Sequence, residues 1–247
     1  MFHSGINRPS IMQALPEGLG LCLCFGDATE ALCAEAMRRL ASGTPVMLDN
    51  GAFRAKTPMT ATRAGSVLDW YDRFAGVAGD GLYVVAPDVI GDGPATVALQ
   101  AALAPRLRDL VTRCTVIVPV QGVDCEAAAA AWRTAIQSIG PKIVAGIPSN
   151  KAAWSGDMVR EFIARTGCKQ VHFLGGSSQV RRDLAAELKI AASSDSSFAV
   201  RFASNTSGRM ANLARAALLA ERRVAGRGRR FHVAEGQTRW PWAWGPS

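Results

Sequence analysis

Thr115-Val116-Ile117-Val118-Pro119-Val120 is an apolar, β-rich run that stops at Gln121-Gly122. The alanine-rich stretch 125–139 follows it, and a second apolar run, Ile143-Val144-Ala145-Gly146-Ile147, comes next. This is a strand, a helix and a strand within the thirty or so residues of a βαβ unit. Two strands joined through a helix lie parallel, so this stretch places the chain in the α/β class.

The same alternation extends in both directions. Strands are predicted over 21–25, 46–48, 82–85, 115–120, 143–147, 170–174 and 190–193, with helices over 31–40, 63–74, 94–112, 125–139, 156–165 and 178–188. Asp27 with Glu30 three residues on reads as a capping box for the first of these helices. Seven strands are visible, and an eighth is expected near 199–202 or 231–233. No Gly-x-Gly-x-x-Gly turn follows the first strand, which disfavours an open dinucleotide-binding sheet. A length of 247 residues suits a (β/α)8 TIM-like barrel, which typically needs roughly 250. The expected organisation is a single barrel domain over 1–247, with 206–247 as a basic, tryptophan-containing helix and tail packed on it.

Apolar residues make up 49% of the chain and charged ones 19%, enough to bury a sizeable core. The net charge of +8 and pI near 9.6 favour polyanionic partners, nucleic acid first. No apolar run is long and uncharged enough to span a bilayer, and no basic segment followed by an apolar core opens the chain. A cytoplasmic protein without membrane contact is therefore expected. Cys22, Cys24, Cys33, Cys114, Cys125 and Cys168 match neither a zinc ribbon nor a disulfide framework, and read as reduced structural thiols. Cys22 and Cys24 share one face of their strand.

In barrels of this kind the C-terminal strand ends carry the active site. The polar residues standing there are Asp49, Asp88, Gln121 and Asp195. A carboxylate such as Asp195, flanked by serines, serves as nucleophile, general base or metal ligand, or else as a helix cap. Asp49 with Asn50-Gly51 also reads as a tight turn, and Asp88 as a loop cap. A buried Gln121 needs partners, and Gly122 after it permits close approach of a ligand. His172, inside an apolar strand, reads as a satisfied structural histidine. Gly175-Gly176-Ser177-Ser178 leads into a helix N-terminus suited to phosphate. No His-x-Glu or Cys-x-x-Cys pattern is present, so neither a zinc site nor another metal site is expected.

Taken in order, these motifs resemble the tRNA-guanine transglycosylase superfamily. The likeness is nearest to its short branch, the 7-deazaguanine DNA transglycosylases of phages and bacterial islands. It runs from about residue 45 to 209. Asp49-Asn50-Gly51-Ala52-Phe53 resembles the family's Asp-Ser-Gly-Gly-Phe, and Val120-Gln121-Gly122 its Val-Gln-Gly. Ala145-Gly146-Ile147 is similar to its glycine-rich segment, Val171-His172-Phe173-Leu174-Gly175 to its His-x-x-Gly strand, and Ser194-Asp195-Ser196 to its nucleophile strand. The resemblance implies that Asp195 attacks C1′ of a target guanosine and that Asp49 takes the proton of the incoming base. It further implies that Asp88 and Gln121 read the base edge, Phe53 stacks on it, and Gly146 and Gly175 border it.

The implied activity is replacement of guanine in DNA by a free 7-deazaguanine base, such as 7-cyano-7-deazaguanine, with no cofactor. Asn50 and Ala52 depart from the family pattern, which points to an altered base pocket. The cysteine–histidine zinc site of the tRNA enzymes is absent from the sequence, which favours DNA over tRNA. The alternatives are a tRNA-acting enzyme and a catalytically silent nucleic-acid-binding barrel. A partner protein or homodimer stays open. Arg222, Arg223, Arg227, Arg229 and Arg230, followed by Trp240, Trp242 and Trp244, read either as phosphate and base contacts or as a solvated basic helix end and a docked tail.

Overall fold

The computed structural model describes residues 2–55, 57–77, 80–148, 154–175 and 179–196. Along them run β1 (Phe2–His3), α1 (Pro9–Ala14), β2 (Gly20–Cys24), α2 (Glu30–Ala41), β3 (Val46–Asp49), α3 (Ala61–Ala75), β4 (Leu82–Val85), α4 (Gly93–Ala102) and α5 (Ala104–Arg113). They continue with β5 (Thr115–Pro119), α6 (Cys125–Ile139), β6 (Ile143–Pro148), α7 (Gly156–Thr166), β7 (Gln170–Leu174), α8 (Gln179–Leu188) and β8 (Ala191–Ser196). Each strand pairs in parallel with the next, and β8 closes on β1 through Phe2 opposite Asp195 and His3 opposite Ser196. The fold is a closed (β/α)8 barrel.

Strand alternation sorts the core into two layers. Phe2, Cys22, Met47, Tyr83, Val85, Ile117 and Val144 point inward and fill the barrel. Their strand neighbours, among them Leu21, Leu23, Leu48, Val84, Val118 and Ala145, point outward under the helices. Phe2 meets Tyr83 edge-on at 5.0 Å between ring centroids. The first strand thus supplies part of the floor beneath the mouth.

Three expectations are corrected. The strand missing from the sequence reading is β1, at the N-terminus, and the predicted strand at 190–193 is itself the closing strand β8. Two residues carry no periodicity, so β1 leaves no pattern to find. The single helix expected over 94–112 is two, α4 and α5, with Pro105 in the first turn of the second. Proline fits a first turn but cannot donate inside a continuous helix. Thr29, not Asp27, caps α2, its hydroxyl accepting from the Leu32 N–H at 3.3 Å. Asp27 instead pairs with Arg54.

The segments 199–202, 231–233 and 206–247 lie outside the described residues, and with them the five C-terminal arginines and the three tryptophans. Among the described residues no helix is long and apolar enough to cross a membrane.

Candidate active site

Two carboxylates reach the C-terminal mouth of the barrel from inward-facing strand positions. Asp49 ends β3, two residues beyond inward-facing Met47. Its Oδ1 accepts the Gly51 N–H at 2.8 Å, and the Cys24 thiol donates to the same oxygen at 3.5 Å. The pairing of Cys24 with Asp49 across β2 and β3 sets up that second contact. Gly51 has φ +73°, and a Cβ there would stand 2.5 Å from the Phe25 carbonyl, so the turn requires glycine. No donor among the described residues reaches Asp49 Oδ2. Burial pushes the Asp49 carboxyl up to about 6; the Gly51 N–H opposes this, and the nearby charges of Asp195 and Asp88 add to it.

Asp195 lies on β8 with its side chain 15% exposed. The Gly175 N–H donates to its Oδ1 at 2.6 Å, and His172 Nε2 stands 3.4 Å from the same atom. Both partners come from β7 and its end, so in the described structure these contacts are not those of a helix cap. His172 is fully buried, yet it touches the candidate nucleophile. That contact is one of two that satisfy the buried ring, in keeping with the structural histidine expected from the sequence. On its other side, His172 Nδ1 lies 2.8 Å from Ser193 Oγ.

Asp88 is held differently. Asn50 Nδ2 donates to its Oδ1 and Gln121 Nε2 to its Oδ2, both at 2.8 Å. Asn50 also donates to the Ala86 carbonyl at 2.8 Å and accepts from the Ala52 N–H at 2.7 Å. Gln121 Oε1 accepts from the Gly91 N–H at 3.4 Å. The three loops after β3, β4 and β5 are therefore tied through one buried carboxylate. Burial raises the Asp88 carboxyl above its ordinary range, and the two amides oppose that rise. Each Asp88 oxygen keeps one further lone pair for a ligand.

The glycines differ in what they permit. A Cβ on Gly122 would lie 2.7 Å from the Ala128 backbone nitrogen, so this glycine lets α6 pack against the loop rather than admitting a ligand. Gly146 faces inward, where a Cβ would meet Ile117 and Leu174 at 3.1 Å. Phe53 is 86% exposed on the loop after β3. Ile90, Val123 and Val180, on the loops after β4 and β5 and at the start of α8, are exposed too. Gly175 sits beside Asp195, while Gly176, Ser177 and Ser178 lie outside the described residues. Among the described residues no three His, Cys, Asp or Glu side chains cluster to hold a metal.

Sequence reasoning missed the working partners of these groups: Cys24 on Asp49, Asn50 on Asp88, and His172 with Ser193 on Asp195. Strand alternation puts Cys24 on the inner face, and that signal was present. The others needed the register between strands that are far apart in sequence.

No family model and no curated protein matches the chain. The fold is similar to solved structures. A fructose-bisphosphate aldolase from Plasmodium falciparum superposes with a TM-score of 0.54 at 12% identity, covering 89% of this chain and 81% of that one. An oxaloacetate acetylhydrolase gives 0.50 at 11% identity, covering 92% and 93%. Likeness at this identity establishes the barrel and nothing finer.

Proposed function

We propose that this barrel is a base-exchange transglycosylase that replaces guanine in DNA with a 7-deazaguanine base through a covalent ester on Asp195. The observation that carries the reading is the pair of inward carboxylates in unlike settings. Asp49 is pushed up to about 6, while Asp195, its side chain 15% exposed, accepts the Gly175 N–H. Glycosyl chemistry needs such a division, one carboxylate for the anomeric carbon and one for protons.

In this reading an Asp195 oxygen bonds to C1′ as the C1′–N9 bond breaks and its electron pair goes to guanine. Asp49 in its acid form gives the departing guanine a proton. As a carboxylate, Asp49 then takes the N9 proton of the incoming 7-deazaguanine, whose nitrogen bonds to C1′ and releases Asp195. The proton given in the first half returns in the second, so the cycle balances. A group near 6 serves both directions at neutral pH. Asp88 and Gln121 present the remaining lone pairs and N–H groups to the base edge, and exposed Phe53 offers a stacking face. Stacking of a base on an aromatic side chain is worth about 1–3 kcal/mol, comparable with the cost of unstacking a nucleotide from duplex.

The test is exchange of radiolabelled guanine, or of a labelled 7-deazaguanine, into DNA and into tRNA, with Asp195→Ala alongside. Label entering DNA with the wild type alone is the expected result. Near-normal exchange by folded Asp195→Ala would overturn the proposal, and label entering only tRNA would reassign the polymer.

A further inference from the structure

We propose that His172 is a positioning residue for Asp195, acting through a directed hydrogen-bond chain from Ser193. The inference rests on the reading of Asp195 as nucleophile and adds how that nucleophile is aimed. The register of β7 and β8 sets His172 opposite Ser193, and Asp195 follows two residues later on the same inner face. Ser193 Oγ lies 2.8 Å from His172 Nδ1, and His172 Nε2 lies 3.4 Å from Asp195 Oδ1. The imidazole is fully buried, with Phe2 from the first strand at 6.1 Å between ring centroids.

The direction of the chain follows from what each group can do. An ionised carboxylate only accepts, so the proton must sit on Nε2 for His172 to bond Asp195. Nδ1 is then an acceptor, and the Ser193 hydroxyl must donate to it. The carboxylate thereby selects the tautomer, and the Ser193 hydroxyl complements it by donating to Nδ1. The Gly175 N–H reaches the same Oδ1 at 2.6 Å. Two donors hold Oδ1, and attack on C1′ is assigned to Oδ2. The long Nε2 contact is of the kind that tightens when substrate binds.

The experiment compares wild type, His172→Phe, His172→Gln and Ser193→Ala in single-turnover formation of the protein–DNA adduct, each first shown folded by circular dichroism. Phenylalanine keeps the ring volume without a donor, while glutamine returns an N–H near the Nε2 position. Misaimed reacting groups cost on the order of 10²-fold. His172→Phe is therefore expected to slow adduct formation by about that factor with KM for DNA nearly unchanged, and His172→Gln to recover most of the loss. A rate within about twofold of wild type for His172→Phe would overturn the inference, on the same positioning argument.

Nitrogen-15 spectra of the imidazole provide a readout that does not depend on activity. A ring protonated at Nε2 in wild type, losing that single tautomer in Asp195→Ala, supports the chain, and a proton on Nδ1 overturns it. Should wild type exchange no base into either polymer, the functional reading fails while the spectra still decide the chain.

Discussion

Replacing Asp49 by asparagine should make the protein more stable at alkaline pH while removing the group proposed to transfer protons. The carboxyl moves from an ordinary 3.8 to about 6, chiefly through burial. The native state therefore holds the Asp49 proton more tightly than the unfolded chain does, and wild type loses stability as pH rises from about 4 to about 6. The shift of roughly 2 units corresponds to about 3 kcal/mol at most, at 1.36 kcal/mol per unit. Asp49 is only partly covered at the mouth, and solvent there reduces the cost to about 1–2 kcal/mol. Asparagine keeps an Oδ1 for the Gly51 N–H, so the turn stays bonded.

Urea unfolding of the two proteins across this pH range measures the effect. Asp49→Asn is expected to exceed wild type by about 1–2 kcal/mol near pH 8, the gap closing near pH 4, with unchanged m. A variant less stable than wild type near pH 8, or a gap that ignores pH, would refute the placement of Asp49 in a desolvated site.

Other expectations follow from the same contacts. The second half-reaction, attack of the incoming base on the Asp195 ester, should speed up as pH rises through about 6, and rapid-quench rates in Asp49→Asn should lose that dependence. Gln121→Ala removes a donor from buried Asp88 and the acceptor of the Gly91 N–H. It should cost about 1.5–3 kcal/mol in chemical denaturation, in the range for a hydrogen bond to a charged group. Gly122→Ala would force a methyl to 2.7 Å from the Ala128 nitrogen and 2.9 Å from its Cα. Its expected cost is about 1–3 kcal/mol, read as a lowered melting temperature, as overpacking against backbone typically gives.

The barrel was legible because the strands from β2 to β7 are local apolar runs, each closed by a turn signal and followed by a helix. β1 was not, because two residues make no pattern and its place is fixed by Phe2 and His3 pairing with Gly20, Leu21, Asp195 and Ser196. Pro105 marked the break between α4 and α5, and it was passed over because the apolar pattern continues through it. At the site, Asp49, Asp88, Gln121 and Asp195 were legible as polar strand ends. Their partnerships were not. Asn50 finds Asp88 38 positions away, Gln121 reaches it from 33 away, and His172 meets Ser193 across 21. Such distances along the chain are bridged by the parallel pairing of neighbouring strands. Gly122 was misread for a related reason: the atoms that require a glycine there belong to a helix whose packing no local pattern states.

The most direct measurement of the central claim is to trap the covalent intermediate. Protein would be incubated with guanine-containing DNA in the absence of any acceptor base, denatured, digested and mapped by mass spectrometry. The account predicts a deoxyribosyl ester on the peptide bearing Asp195, absent from Asp195→Ala and discharged when a 7-deazaguanine base is added. Base exchange that proceeds with no protein-bound DNA, or an adduct mapping to another residue, would contradict it.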